Sequence, residues 1–71
     1  MLQIFNKISF YRKKCGLTQS ELAGLIGVSK NAISAYETNQ YNPSLVSAFE
    51  LCRIFSCSVY DLFYFMEANN D

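Results

Sequence analysis

The sequence from Thr18 to Glu37 reads TQSELAGLIGVSKNAISAYE and contains two helix-start signals separated by a glycine. Thr18 is followed three residues later by Glu21, a capping box that starts a helix, and Ser29 is a favoured N-cap for a second helix. Gly27, between the two signals, suits a turn with a positive φ. Helices this short, joined by so tight a turn, are poor material for a plain bundle. They are typical of a helix-turn-helix, whose second helix enters the DNA groove.

Helix signals continue on both sides of this segment and predict an all-α fold in a single domain, residues 1–71. Ile4, Ile8 and Tyr11 recur at helical spacing ahead of Gly16, which suits the left-handed position after a helix. Turn-forming residues precede a serine N-cap for the fourth helix, and a further serine cap opens the fifth. We expect a compact bundle of five short helices, at about residues 3–14, 18–25, 29–38, 44–55 and 58–66, with a frayed tail at 67–71.

The composition offers little chemistry for an enzyme or a metal site. The chain contains no histidine, and its three cysteines form neither an even disulfide set nor a CxxC pair. Paired-carboxylate motifs and a glycine-rich phosphate loop are also missing from the sequence. We therefore expect no enzymatic activity, no catalytic residue, no cofactor and no metal, and we interpret the cysteines as small buried apolar groups.

The chain also lacks an apolar run long enough to span a bilayer and a secretory leader pattern, so we expect a soluble cytoplasmic protein that does not enter membranes. The six basic and six acidic side chains cancel, but they are unevenly distributed. Residues 1–57 hold all six bases against three acids, whereas residues 58–71 hold three acids and no base. A mildly basic body with an acidic end suits a weak electrostatic attraction to DNA.

A set of residues at fixed spacing runs through most of the chain. These residues are Arg12, Gly16-Leu17-Thr18-Gln19, Glu21-Leu22-Ala23, Ile26-Gly27-Val28-Ser29, Ile33-Ser34, Tyr36-Glu37, Asn42-Pro43-Ser44 and Leu51. The pattern resembles the Cro/C1-type (XRE-family) helix-turn-helix domain of phage repressors and their bacterial relatives, over about residues 8–62. The resemblance implies a lambda-repressor-like fold and a function as a sequence-specific transcriptional regulator that binds double-stranded DNA.

The resemblance further implies that the third predicted helix enters the major groove with its first turn toward the base edges. Ser29, Lys30 and Asn31 would then face the bases, followed one turn later by Ser34 and Ala35. Lysine can donate to guanine O6 and N7, asparagine can bond bidentately to adenine, and a methyl group can contact thymine. The alternative for Lys30 is an ordinary solvated surface lysine.

Residues outside that helix are implied to hold the DNA backbone or the fold. Gln19, at the N-terminus of the second helix, matches a family residue that bonds a phosphate oxygen, where the free N–H groups of a helix end already favour an anion. Tyr41 and Asn42 could contact the backbone after the third helix. Arg12 and Glu37 match a family ion pair that joins the first helix to the end of the third.

A single copy with so few basic side chains should bind DNA weakly, which points to a homodimer. Many relatives carry a glycine and a basic residue after the recognition helix, where this chain has Asn39 and Gln40. The last predicted helix is apolar or aromatic on nearly every side, and exposed aromatic residues commonly mark a protein contact. We therefore expect Tyr60, Tyr64 and Phe65 to form a dimer interface through the C-terminal helix. A deeper core that absorbs these rings is the alternative.

A second class of function stays open at this point. The same fold could serve as a protein-interaction adaptor or an antitoxin-like module with little DNA affinity. Neutral charge and exposed aromatic residues favour that interpretation, whereas Lys30, Asn31 and Gln19 at helix starts favour DNA.

Overall fold

Five helices lie between two strands in the computed structural model, which describes residues 1–67. Along the chain the elements are β1 (Leu2–Asn6), α1 (Ile8–Lys14), α2 (Gln19–Ile26), α3 (Lys30–Glu37), α4 (Leu45–Phe55), α5 (Val59–Leu62) and β2 (Phe63–Glu67). Within the described part of the chain, no helix has the length and apolar character needed to cross a membrane. The predicted tail after residue 67 lies outside the described residues.

The two strands pair with each other, so the all-α prediction was wrong. β1 and β2 form an antiparallel ladder in which Leu2 lies opposite Glu67 and Asn6 lies opposite Phe63. The first and the last predicted helix are therefore each part strand and part helix. Glu67, which was assigned to the frayed tail, is the last residue of β2. The domain is a helical helix-turn-helix fold with a small terminal sheet.

The reason for this error is that strand pairing depends on a distant partner. Ile4 and Ile8 lie at helical spacing, yet β1 ends between them at Asn6. The β-branched and aromatic residues of both strands fit a pleated surface once a neighbouring strand lies beside them. Because that neighbour is at the other end of the chain, a local window sees only the helical spacing.

The core contains one fully buried aliphatic side chain from each helix. Ile8, Leu22, Ile33, Leu51 and Leu62 are all 0% exposed, and they belong to one hydrophobic cluster. Burial of each such side chain contributes about 1.5–3 kcal/mol. Since α3 enters this cluster through Ile33, it cannot rotate without opening the core.

Capping boxes begin two of the helices. The Thr18 hydroxyl accepts from the backbone N–H of Glu21 at 3.0 Å, and the Thr18 N–H donates to the Glu21 carboxylate at 2.8 Å. Ser58 and Asp61 make the same reciprocal pair, with both distances 3.0 Å. Each box gives partners to two N–H groups that the helix itself leaves without one. The sequence spacing predicts both boxes, the second with aspartate in place of the usual glutamate or glutamine.

The two capping carboxylates should make folding sensitive to acid. The backbone N–H of Thr18 lowers the pKa of Glu21 below its ordinary value, and that of Ser58 does the same for Asp61. Because their pKa values are lower in the folded state, these carboxylates contribute stability above the ordinary values, 4.5 and 3.8, and lose it as the pH falls through the folded values.

We therefore expect the free energy of unfolding, measured by urea titration, to decline as the pH falls below 4.5. A variant with both Glu21→Gln and Asp61→Asn should be less stable than the wild type at neutral pH and should lose less stability over the same acid interval. Parallel pH profiles for the two proteins would show that the caps do not carry this dependence.

Candidate nucleic-acid interface

The turn between α2 and α3 is fixed by backbone geometry. Gly27 ends α2 with φ 71° and ψ 33°, a left-handed conformation that glycine adopts without steric cost. The N–H of Val28 donates to the carbonyl of Ala23 at 3.0 Å. The Ser29 hydroxyl then accepts from the N–H of Ala32 at 3.1 Å and starts α3. The direction of α3 relative to α2 is thereby set within four residues.

The first turn of α3 faces solvent. Ser29, Lys30 and Asn31 are all exposed, and Ser34, one turn later, is half-buried. Thr38, the C-cap, continues the same stripe at four-residue spacing, and its hydroxyl donates to the Ser34 carbonyl at 2.9 Å. Four of the five residues predicted to read bases therefore lie on or beside one open stripe of the helix, and Thr38 is an exposed neighbour that the sequence argument omitted.

Ala35 is a correction to the predicted base-reading set. Its exposure is only 6%, so its methyl group cannot reach a base edge. Ala35 follows Ala32 by three residues, and Ala32 packs against the core cluster. Residues at that spacing share a side of a helix, and therefore Ala35 belongs with the inner side of α3 and not with its groove-facing stripe.

Arg12 and Glu37 join α1 to the end of α3 in a two-point ion pair. Arg12 Nε lies 2.6 Å from Glu37 Oε2, and Arg12 Nη2 donates to Glu37 Oε1 at 3.2 Å. Arg12 Nη1 also donates to the carbonyl of Leu17, at 2.9 Å, in the connection between α1 and α2. The hydrogen bonds that Arg12 donates to the Glu37 carboxylate raise the pKa of Arg12. With side-chain exposures of only 12% and 8%, the pair is shielded from solvent and links three parts of the fold.

Gln19 joins the same network from the first residue of α2. Its amide Nε2 donates to Glu37 Oε1 at 3.0 Å, a contact that its position in the sequence does not reveal. An amide nitrogen carries two hydrogens, so this bond leaves the second N–H for an oxygen acceptor outside the protein. The bond to Glu37 orients the Gln19 side chain from the protein side and is compatible with the predicted phosphate contact.

The loop after α3 begins with a left-handed residue. Asn39 has φ 60°, a conformation that asparagine can adopt in place of glycine after a helix, and the N–H of Gln40 donates to the Ala35 carbonyl at 2.9 Å. Tyr41 is 53% exposed while its ring packs edge-on against Tyr36, with 5.5 Å between centroids. The loop is thus held against the end of α3, with the hydroxyl-bearing ring of Tyr41 accessible to solvent.

A family model for the helix-turn-helix covers all five helices described above. It matches residues 8–62, which run from the first residue of α1 to the last residue of α5. The chain belongs to the Cro/C1-type helix-turn-helix family. Both strands lie outside the matched range, so the match covers the helical unit of this Cro/C1-type domain and not its terminal sheet.

Individual proteins support the assignment of this Cro/C1-type domain. An HTH-type transcriptional regulator of Methanocaldococcus jannaschii is 40% identical over 60 residues, which cover 84% of this chain and 91% of the relative. The P22 c2 repressor, solved in complex with a synthetic operator, superposes with a TM-score of 0.70 at 33% identity and covers 73% of this chain and 79% of its own. The antitoxin HipB of Escherichia coli O6:H1 is 37% identical over 57 residues, covering 80% of this chain and 61% of the antitoxin.

An apolar groove lies where the terminal sheet of this Cro/C1-type domain meets α5. Its volume is about 640 Å³. Tyr60 stands beside it with 91% of its surface exposed. A second hollow, of about 170 Å³, continues from it past Ala48 toward the loop after α3. The groove is lined by Ile4, Val59, Tyr60, Phe63, Tyr64 and Phe65.

The three rings predicted for a dimer interface occupy different settings. Tyr60 and Phe65 are 91% and 65% exposed, whereas Tyr64 is 39% exposed. Because successive strand residues point to opposite faces, the side chains of Tyr64 and Phe65 leave opposite faces of β2, although both residues border the groove. Tyr64 stacks on Phe5 at 6.0 Å on its own face of the sheet. The C-terminal segment that carries Tyr64 and Phe65 is also a strand, and not the helix predicted for it.

Proposed function

We propose that this domain is a sequence-specific, double-stranded-DNA-binding transcriptional regulator that acts in the cytoplasm as a homodimer and has no enzymatic activity. One observation carries the proposal. The inner side of α3 is locked into the core through Ile33 and Tyr36, while the first turn of the same helix is open to solvent. A rigid helix with an accessible polar stripe is what major-groove reading requires.

The chemistry of the stripe suits base edges. Lys30 can donate to guanine O6 and N7, and Asn31 can make a bidentate bond to adenine. The hydroxyls of Ser29 and Ser34 can donate to or accept from either kind of base pair. We assign Ala35 no role in reading, because it is buried.

Contacts to the DNA backbone would flank this stripe. Gln19 has an amide N–H directed by Glu37 and lies in the first turn of α2, where the partial positive charge of the helix end favours phosphate. Tyr41 and Asn42 are exposed in the loop after α3 and can donate from a hydroxyl and an amide. With Lys30 as the basic side chain on α3, such an interface holds few cations, so we expect a shallow salt dependence.

Replacing Lys30 with alanine tests this function. Selection from a random pool would first identify a preferred duplex. Fluorescence anisotropy would then compare the affinity of the protein for that duplex with its affinity for random duplex. We expect Lys30→Ala to weaken binding to the preferred duplex over random duplex by about 1–3 kcal/mol, the contribution of a base contact.

Lys13→Ala is the matched control, because Lys13 is an exposed lysine on α1 and its loss removes the same charge. It should change both affinities alike and leave the preference intact. If Lys30→Ala weakened both duplexes equally, Lys30 would contact phosphate only. If the wild-type protein bound no duplex even at low salt, the proposed function would be wrong.

A homodimer would supply the contacts that one copy lacks. The groove beside Tyr60 is lined by apolar and aromatic residues with no charged side chain among them, so two copies can meet there without like-charge repulsion. The exposed Tyr60 ring lies next to an open hollow, which suits an exchange in which each copy fills the groove of the other. Such mutual exchange is the property of a two-fold interface.

The apolar surface extends beyond the groove. Leu45 and Phe49 of α4 are 73% and 58% exposed, and they share a side of the helix with Ala48, which lines the second hollow. A standard interface buries about 800 Å² on each partner, roughly one sixth of the 4784 Å² surface of this chain. An axis near the loop after α3 would place two copies of α3 on half-sites about one helical turn apart.

The antitoxin-like alternative uses the same apolar surface for a different protein. Similarity to HipB and the exposed rings favour it. The alternative predicts no salt-sensitive binding to any duplex, whereas the proposed function predicts affinity that falls as salt is raised. The anisotropy measurement on the wild-type protein therefore separates the two.

A further inference from the structure

Asn6, the last residue of β1, makes hydrogen bonds to two helices. Its amide Nδ2 donates to the carbonyl of Tyr36 at 2.8 Å and to Oδ1 of Asn39 at 3.3 Å. Its Oδ1 accepts from the backbone N–H of Ile8, the first residue of α1, at 3.1 Å. One side chain thereby caps the start of α1 and holds the end of α3.

We infer that Asn6 is a positioning residue for DNA reading: through Tyr36 and Asn39 it fixes the tilt of α3 and the course of the loop that follows it. This inference rests on the proposed function. The last carbonyls of a helix have no partner within the helix. The Tyr36 carbonyl accepts from the backbone N–H of Asn39 at 3.1 Å, and Asn6 supplies a second donor from a distant part of the chain. Its tie to Asn39 also joins it to the residue whose left-handed backbone starts the loop.

The placement of Asn6 complements that of the ion pair. Arg12, in the last turn of α1, holds Glu37, while Asn6, just before α1 begins, holds the adjacent residue Tyr36. Residues at the two ends of α1 are therefore bonded to neighbouring residues of α3. A helix held at two points cannot swing about either one, so loss of one point should let the reading stripe tilt. No motif in the sequence marks the role of Asn6 at α3, because its partners there, Tyr36 and Asn39, lie 30 and 33 residues away.

Two substitutions separate positioning from simple capping of α1. Asn6→Asp keeps an oxygen acceptor for the N–H of Ile8 and removes the donor to Tyr36 and Asn39. Asn6→Ala removes both functions. If Asn6 only caps α1, the aspartate variant should bind DNA as the wild type does. If it positions α3, both variants should lose preference for the selected duplex.

The measurement is the ratio of affinities for preferred and random duplex, taken by anisotropy at a temperature where circular dichroism shows each variant to be fully folded. A purely structural defect lowers the folded fraction and weakens both affinities by one factor. We expect Asn6→Asp and Asn6→Ala to weaken the preferred duplex about tenfold, within the range for a misplaced base contact, and to change random duplex far less. Gln3→Ala, an exposed change on the same strand, should leave the ratio unaltered.

Asn39→Gly provides a second route if the Asn6 variants do not fold. Glycine keeps the left-handed backbone and removes only the Oδ1 partner of Asn6, so it should lower the ratio by less than Asn6→Asp does. An unaltered ratio in Asn6→Asp, or in Asn39→Gly when Asn6→Asp is unfolded, overturns the inference while the proposed function stands. Failure of the wild-type protein to bind any duplex overturns both.

Discussion

Arg12→Ala should destabilise the domain by about 3–5 kcal/mol, the cost of leaving one charge of a buried pair without its partner. The Glu37 side chain is only 8% exposed, so its carboxylate cannot regain full hydration when the guanidinium is removed. For a domain of this size each kcal/mol lowers the melting temperature by about 4–8 °C. Thermal unfolding followed by circular dichroism should therefore show a midpoint at least about 12 °C lower.

Two further variants test whether the buried charge is the cause. Arg53→Ala breaks the ion pair between Arg53 and Glu50, whose side chains are 69% and 38% exposed, respectively. Because solvent screens this exposed pair, the substitution should hardly change the midpoint of thermal unfolding. Combining Arg12→Met with Glu37→Leu removes both buried charges and should recover most of the lost stability. An unchanged midpoint in Arg12→Ala would mean that the pair contributes little to folding.

Tyr60→Glu should abolish self-association at concentrations where the wild-type protein is a dimer. A central aromatic residue of an interface contributes about 2 kcal/mol or more, so the dissociation constant should rise roughly 30-fold or more. Tyr60 is 91% exposed in the single chain, and hence its replacement should leave the melting temperature of the monomer unaltered. Sedimentation equilibrium over a range of concentrations measures this change directly.

Phe10→Glu is the matched control, because Phe10 is 60% exposed on α1 and does not line the groove. It should leave association unaltered. In DNA binding, Tyr60→Glu should weaken the complex with two half-sites far more than the complex with one. A wild-type protein that stays monomeric at all concentrations would contradict the homodimer, and equal association by Tyr60→Glu would place the interface elsewhere.

The local elements of the site could be predicted because their chemistry acts over a few residues. Thr18 with Glu21, Ser29 and Gly27 form bonds or turns within their own segment, and the structure contains each of them. The partners Arg12 and Glu37 came from the resemblance to a family and not from spacing, since 25 residues separate them.

The errors and omissions share a different cause. Ala35 was assigned to the groove from its place after Ser34, but its burial depends on which side of α3 meets the core. The role of Asn6 at α3 has no local signature, because its bonds to Tyr36 and Asn39 run to residues that only the fold brings near. Tyr64 and Phe65 were grouped as one helical surface, whereas strand geometry separates their side chains.

The sequence by itself determined the capping residues that start α2 and α3, the glycine turn between them and which family the chain resembles, because caps, glycine turns and helical spacing depend on neighbours along the chain. Only the tertiary structure decided that the two strands pair, which side of α3 faces the core, and which residues at the two ends of α1 bind the end of α3. Those features depend on pairing and burial between segments far apart in sequence. Such contacts contribute to the free energy of folding only when the whole chain has folded around them.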